Sequence, residues 1–165
     1  ETGLRIGELA GLQGGDYQST NHTIDVKRQL LKDTTPPIYG DPKTAAGIRS
    51  LTLSPTLAAR VEAVGAVGHA PVFTSTGGGL LNVSNFRRRH FTPAVSAAGL
   101  GHVRIHDLRH SAISWWINRG ATIKQVTARA GIASVATAFD RYGHILPNED
   151  RDLARRLHQP VIPSI

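Results

Sequence analysis

The sequence predicts an α+β domain, mostly α, with a small antiparallel sheet near its amino end. Three observations carry this. Apolar and polar residues alternate over residues 23–31, and residues 49–53 form a second strand-like run, so two strands fall in the first third of the chain. From Ser54 onward a series of helix caps follows, at Ser54, Thr122 and Ser134. The 165 residues, 40% of them apolar, suffice for one domain around one core.

Leu4, Ile6, Leu9, Ala10 and Leu12 fit a short amphipathic helix capped by Thr2 and ended by Gly14-Gly15-Asp16. In the strand over 23–31, Ile24, Val26, Arg28 and Leu30 share one side and Asp25, Lys27 and Gln29 the other. Residues 34–47, rich in Pro, Gly and Thr, read as a long loop, which puts Lys43 in the connection between two strands. Ser54-Pro55 opens a helix to about Val64, with proline in the first turn, where its missing N–H does no harm. Pro71-Val72-Phe73 is short and extended, and Thr76-Gly77-Gly78-Gly79 is a turn. Residues 84–98 are helical, interrupted or restarted at Pro93. Residues 106–118 form a helix closed by Gly120. Thr122 caps a short helix with Ile123, Val126 and Ala130 on one face, and Ser134 caps the helix that carries Tyr142. Residues 148–157, acids early and arginines late, match the macrodipole of a last helix, and residues 159–165 form an extended tail.

Nineteen basic against 12 acidic residues give a net charge of +7, which suits a polyanionic partner because neutralised phosphates release counterions. Charge alone also fits a basic surface without a role. Fifteen of the 19 basic residues are arginine, the better choice for two-pronged phosphate contacts. The lack of cysteine excludes a disulfide framework and a thiolate metal site. No apolar run approaches the ~20 residues of a membrane span, and no signal peptide is visible. The expectation is a soluble cytoplasmic protein with no membrane partner. The chain has no Met and opens inside a motif, so a fragment with material missing upstream is expected.

The run His106-Asp107-Leu108-Arg109-His110, with Tyr142 33 residues after Arg109, is the most informative pattern, and Arg5 stands near the start in Thr-Gly-Leu-Arg-Ile-Gly-Glu-Leu. Cleaving a phosphodiester without metal needs a nucleophile, cations for the phosphorane's extra charge, a base, and an acid for the leaving oxygen. Two arginines, a histidine and a tyrosine cover most of that list. Taken singly, each has a plainer reading. Arg5 pairs with Glu8 on a helix surface. Lys43 is a solvated loop residue. His106 and His110 sit four apart like a metal pair, though spacing places no third ligand. Tyr142 is half-buried with its hydroxyl bonded. Trp115 and Trp116 are packing residues, and Arg87-Arg88-Arg89 is either a solvated face or a DNA-backbone contact.

Taken together, the order Arg5, Lys43, His106-x-x-Arg109, Tyr142 resembles the tyrosine recombinase (phage integrase) family over nearly the whole chain. The resemblance implies the DNA breaking-rejoining catalytic fold, with residues 1–165 as an amino-terminally truncated catalytic domain lacking the upstream core-binding domain. It implies that Arg5, supported by Glu8, and Arg109 hold the scissile phosphate, that His106 assists proton transfer, and that Lys43 protonates the leaving 5′-oxygen. Tyr142 is then the nucleophile of a 3′-phosphotyrosine intermediate, with no cofactor and no metal. Implied partners are double-stranded DNA and further copies of the chain, as a tetramer on paired sites, with the Leu153/Leu157 face docking in trans or on its own core. The implied function is site-specific recombination, as in a prophage or mobile-element integrase.

One position departs. The family has Leu-Gly-His about ten residues before the tyrosine, and here the stretch is Ala130-Gly131-Ile132. Isoleucine packs but cannot donate, and one such donor is worth on the order of 10²–10³ in rate. An alternative expectation is therefore an impaired integrase remnant that binds DNA without recombining it. A histidine-based metalloenzyme is a third, and it predicts chelator sensitivity.

Overall fold

The computed structural model describes residues 1–34 and 36–146. Helix α1 (Ile6–Ala10) leads to a 3-10 turn (Gly14–Asp16) and five strands: β1 (Tyr17–Gln18), β2 (Thr23–Val26), β3 (Gln29–Lys32), β4 (Ile38–Gly40) and β5 (Arg49–Thr52). Helices α2 (Pro55–Val64), α3 (Val83–Phe86), α4 (Thr92–Ala97), α5 (Ile105–Asn118), α6 (Ile123–Ala130) and α7 (Val135–Tyr142) follow. The expected helix over 148–157 and the tail lie outside the described residues.

Strands β1, β2 and β5 form an antiparallel sheet in the order β1-β2-β5, with Ile24 opposite Leu51 and Val26 opposite Arg49. Its inner face, Ile24, Val26 and Leu51, packs with Leu12, Leu53, Ala58 of α2 and Val72 into a first core. A second core joins Ile113, Trp116 and Ile117 of α5 to Val126 and Ala130 of α6 and Tyr142 of α7. The amino-terminal segment ties the two together. Trp116 Nε1 donates to the Glu1 carbonyl at 2.9 Å, and the Glu1 carboxylate accepts from Ser54 N at 2.8 Å.

The caps sit where local chemistry puts them. Ser54, Thr122 and Ser134 accept from the backbone N–H three residues on, at Leu57, Gln125 and Thr137. Four features differ from the sequence expectation. The continuous strand over 23–31 is two strands in two sheets, because Arg28 turns inward to pair with Asp16 (Nη2 to Oδ1, 3.1 Å), which is only 3% exposed and also accepts from Gln13 N. The long loop contains β4, which pairs with β3, and a 3-10 turn, Ala45–Gly47. Helix α1 begins after Arg5 and not at Thr2, since Gly3 takes φ +61° and Arg5 is extended at φ −68°, ψ 148°. The helix around Pro93 starts at Val83 and contains a five-residue π turn, Arg87–Phe91, just before that proline, which stands second in α4. Proline has no N–H for the carbonyl one turn back, and the wider turn accommodates the missing bond.

Helix α1 lies tight on β3 because Gly11 has no side chain. A Cβ there would stand 2.9 Å from Leu30 N. Gly11→Ala is therefore expected to lower stability by about 1–3 kcal/mol through overpacking. Urea denaturation reads this directly, and an unchanged midpoint would mean α1 and β3 have room to spare.

Candidate active site

Three guanidiniums and one carboxylate converge where α1, β5 and α5 meet. Glu8, on α1, is 2% exposed. Its Oε1 accepts from Arg5 Nη1 at 2.7 Å, and its Oε2 accepts from Arg5 N at 3.0 Å and Arg49 Nη2 at 3.1 Å. Burial pushes the Glu8 carboxyl up, but the hydrogen bonds from Arg49 and Arg5 outweigh it and hold the group below its ordinary value. Arg49, first residue of β5, also donates to the carbonyls of Gly47 (2.7 Å) and Arg129 (2.8 Å).

Arg109, on α5, is 6% exposed and donates to the carbonyls of Gly3 at 2.6 Å and Ala130 at 2.5 Å. Burial, and then the charges of Arg5 and Arg49, bring its pKa down to about 10, which leaves a cation at neutral pH. Arg5 Nη2 donates to the next carbonyl along, Gly131, at 3.2 Å. Two consecutive carbonyls at the end of α6 thus aim both arginines. Gly131 has φ +63°, and a Cβ on it would lie 2.9 Å from both Ala46 O and Arg49 Nη1, so only glycine closes this junction.

His106 and Arg109 share a face of α5 one turn apart, as their spacing requires. Asp107 fixes that end of the helix by accepting from Arg104 N at 2.8 Å and from its guanidinium at 2.9 Å, and this pairing holds the Asp107 carboxyl down at about 2. His106 is exposed, and its ring stands edge-on to His110 at 4.9 Å between centroids. Burial and then the neighbouring positive groups lower the pKa of both imidazoles, with His110 and Arg109 acting on His106 and Arg141 chief among those acting on His110. Tyr142 ends α7 at 3% exposure, with its hydroxyl 2.8 Å from His110 Nδ1. Burial raises its pKa against the opposing pull of Arg109 and Arg141.

The structure thus gathers Arg5, His106, Arg109 and Tyr142 around α5. Lys43 is exposed on the stretch between β4 and the turn Ala45–Gly47, and its side chain bonds none of the other four among the described residues. That stretch is held near them through the packing of Ala46 on Gly131. Ile132 is half-buried against the second core. One residue escaped the sequence reading, and a second was read in another role. Arg49 carries no local signal, because its partner Glu8 lies 41 residues away. His110 was visible by its spacing from His106, but as a metal pair. Among the described residues no three metal-ligating side chains cluster, and His110 meets Tyr142.

Acid is expected to weaken this junction. A carboxyl held low in the fold returns to its ordinary value on unfolding, so the unfolded chain binds more protons as pH falls. The stability from Glu8 is fully present above pH 4.5 and is lost as pH drops through the lowered native value. Glu8→Gln should cost about 3–5 kcal/mol at neutral pH by leaving buried Arg49 uncompensated. Denaturant titrations from neutral to acid pH should show the gap between variant and parent shrinking.

The family model described as "Phage integrase family" matches residues 1–149. The ICEBs1 integrase of Bacillus subtilis is 27% identical over 176 residues, covering 94% of this chain and 45% of its own length. The tyrosine recombinase XerC of Bifidobacterium longum is 29% identical over 146 residues, covering 87% and 40%. The chain thus spans less than half the length of these relatives. The solved structure of the Tn1549 transposon integrase in complex with circular intermediate DNA superposes with a TM-score of 0.76 at 23% identity, over 94% of this chain and 56% of that one. Fold and sequence agree with the motif order, and the chain belongs to the phage integrase family of tyrosine recombinases.

Proposed function

We propose that this chain carries the catalytic portion of a site-specific recombinase that cuts and rejoins double-stranded DNA without metal, through a 3′-phosphotyrosine on Tyr142. The observation that carries the proposal is the shared frame of Arg5 and Arg109 on the adjacent carbonyls of Gly131 and Ala130, with Tyr142 beside the same helix. Each guanidinium has five N–H donors. Arg109 and Arg5 each spend two on the protein contacts above, so three on each remain for phosphate oxygens. Three guanidiniums against one carboxylate leave a net positive site, and such preorganised charge is usually the largest catalytic contribution.

In this reading Tyr142 Oη attacks phosphorus, and Arg5 and Arg109 hold the non-bridging oxygens. His106, exposed at the mouth of the site and neutral near pH 7, assists proton transfer. Lys43, on its exposed stretch beside Gly131, protonates the departing 5′-oxygen. The phosphotyrosine preserves the bond energy for rejoining. The setting is a prophage or mobile element, with the enzyme acting as a tetramer on paired DNA sites. The alternative of a remnant that binds DNA without recombining it is motivated by Ile132.

The decisive assay incubates the protein with supercoiled plasmid in EDTA, quenches with denaturant, and looks for an SDS-stable protein–DNA adduct. An adduct that vanishes in Tyr142→Phe is expected. A chelator-sensitive reaction, or an adduct that survives in the phenylalanine variant, would overturn the proposal. Ile132→His should raise the adduct rate by on the order of 10²–10³ by restoring a donor, and an unchanged rate would show that the isoleucine costs nothing.

A further inference from the structure

We propose that His110, and not only the His106 of the motif, acts on the nucleophile directly, as the base that takes the Tyr142 proton. The inference rests on the function proposed above and adds a residue to it. His110 lies one turn beyond His106 on α5, half-buried, with Nδ1 2.8 Å from the Tyr142 hydroxyl and the two rings tilted at 46°. Among the described residues it is the side-chain acceptor within hydrogen-bond distance of that hydroxyl.

The groups around His110 are His106, Asp107 and Arg109 on α5, Arg104 ahead of the helix, and Arg141 and Tyr142 on α7. Burial lowers its pKa most, and the positive groups, which outnumber the one carboxylate, lower it further, so the ring is neutral at pH 7. A neutral imidazole carries one N–H. With Nε2 protonated, Nδ1 is the acceptor and the phenol O–H donates to it. As Tyr142 Oη attacks, the phosphorus–Oη bond forms and the phosphorus–O5′ bond breaks. The phenol proton moves to His110 Nδ1, while Lys43 supplies the proton for O5′. Rejoining reverses both transfers, with His110 returning its proton to Oη. Arg141, beside Tyr142, is a donor and stabilises the phenolate as it forms without competing for the proton.

The test must separate taking the proton from holding the ring. His110→Gln keeps an acceptor for the phenol but cannot accept its proton. His110→Ala removes both. Adduct formation is measured against pH for the parent and both variants, with Tyr142→Phe as the blank. Both variants are expected to lose about 10²–10⁴-fold at neutral pH, and to recover as pH rises toward the phenol's own ionisation. A glutamine variant as fast as the parent would overturn the base assignment, as would an alanine variant with the parent's rate. Nitrogen-15 NMR of His110 gives an answer independent of turnover and of whether a variant folds. A proton on Nε2 and a bare Nδ1 are expected, and a protonated Nδ1 donating to the phenol would overturn the inference. Failure of the recombinase reading itself shows elsewhere, as a parent protein with no Tyr142-dependent adduct.

Discussion

The buried carboxylate of Glu8 is the contact on which the rest of the site depends. It accepts from Arg5 and Arg49, two residues that sit on different elements, and so binds α1 to β5. Arg49 passes the restraint on to the end of α6 through the Arg129 carbonyl, and Arg5 does so through Gly131. Without that negative charge, two guanidiniums and the Arg109 cation would repel one another in a poorly hydrated space, and the tie between α1 and β5 would be lost. The site is therefore an electrostatic assembly first and a collection of reactive groups second. An ion cluster of this kind adds little net stability over an apolar core, but it fails badly when one member is removed.

What the sequence made legible was whatever physical chemistry decides within a few residues. Ser54, Thr122 and Ser134 announce helix starts because each side chain bonds an N–H three residues away. His106 and Arg109 declare a shared helix face by spacing alone. What stayed hidden depends on partners far along the chain. Arg28 sits in a clean alternation, and only Asp16 explains why the strand breaks there. Strand β4 has too few residues to show a period, and it exists because β3 offers it an edge. Arg49 and the His110–Tyr142 contact, across 41 and 32 residues, are products of assembly. The family was nevertheless readable, because a fixed order of rare chemical types is a stronger signal than any one of them.

The two cores have different roles around the site. The first, under the sheet, positions Glu8 and Arg49 and carries no reactive group. The second contains Tyr142 itself, packed with Ile113, Trp116 and Val126. A mutation that loosens α5 against α6 and α7 therefore displaces the phenol and the histidines together. One that loosens the sheet displaces Arg49 and, through it, its carboxylate partner Glu8 instead.

The carbonyl tethers on Arg5 and Arg109 also bear on entropy. An arginine free in solvent samples many rotamers, and fixing it costs about 2 kcal/mol. Here both side chains are fixed on Gly3, Ala130 and Gly131 before any ligand arrives. That loss is borne during folding and is absent when a phosphate enters. Under the function proposed above, affinity for a phosphate is accordingly higher than for equally charged but freely rotating arginines. The remaining N–H groups already point where folding left them, so the site discriminates by position as well as by charge.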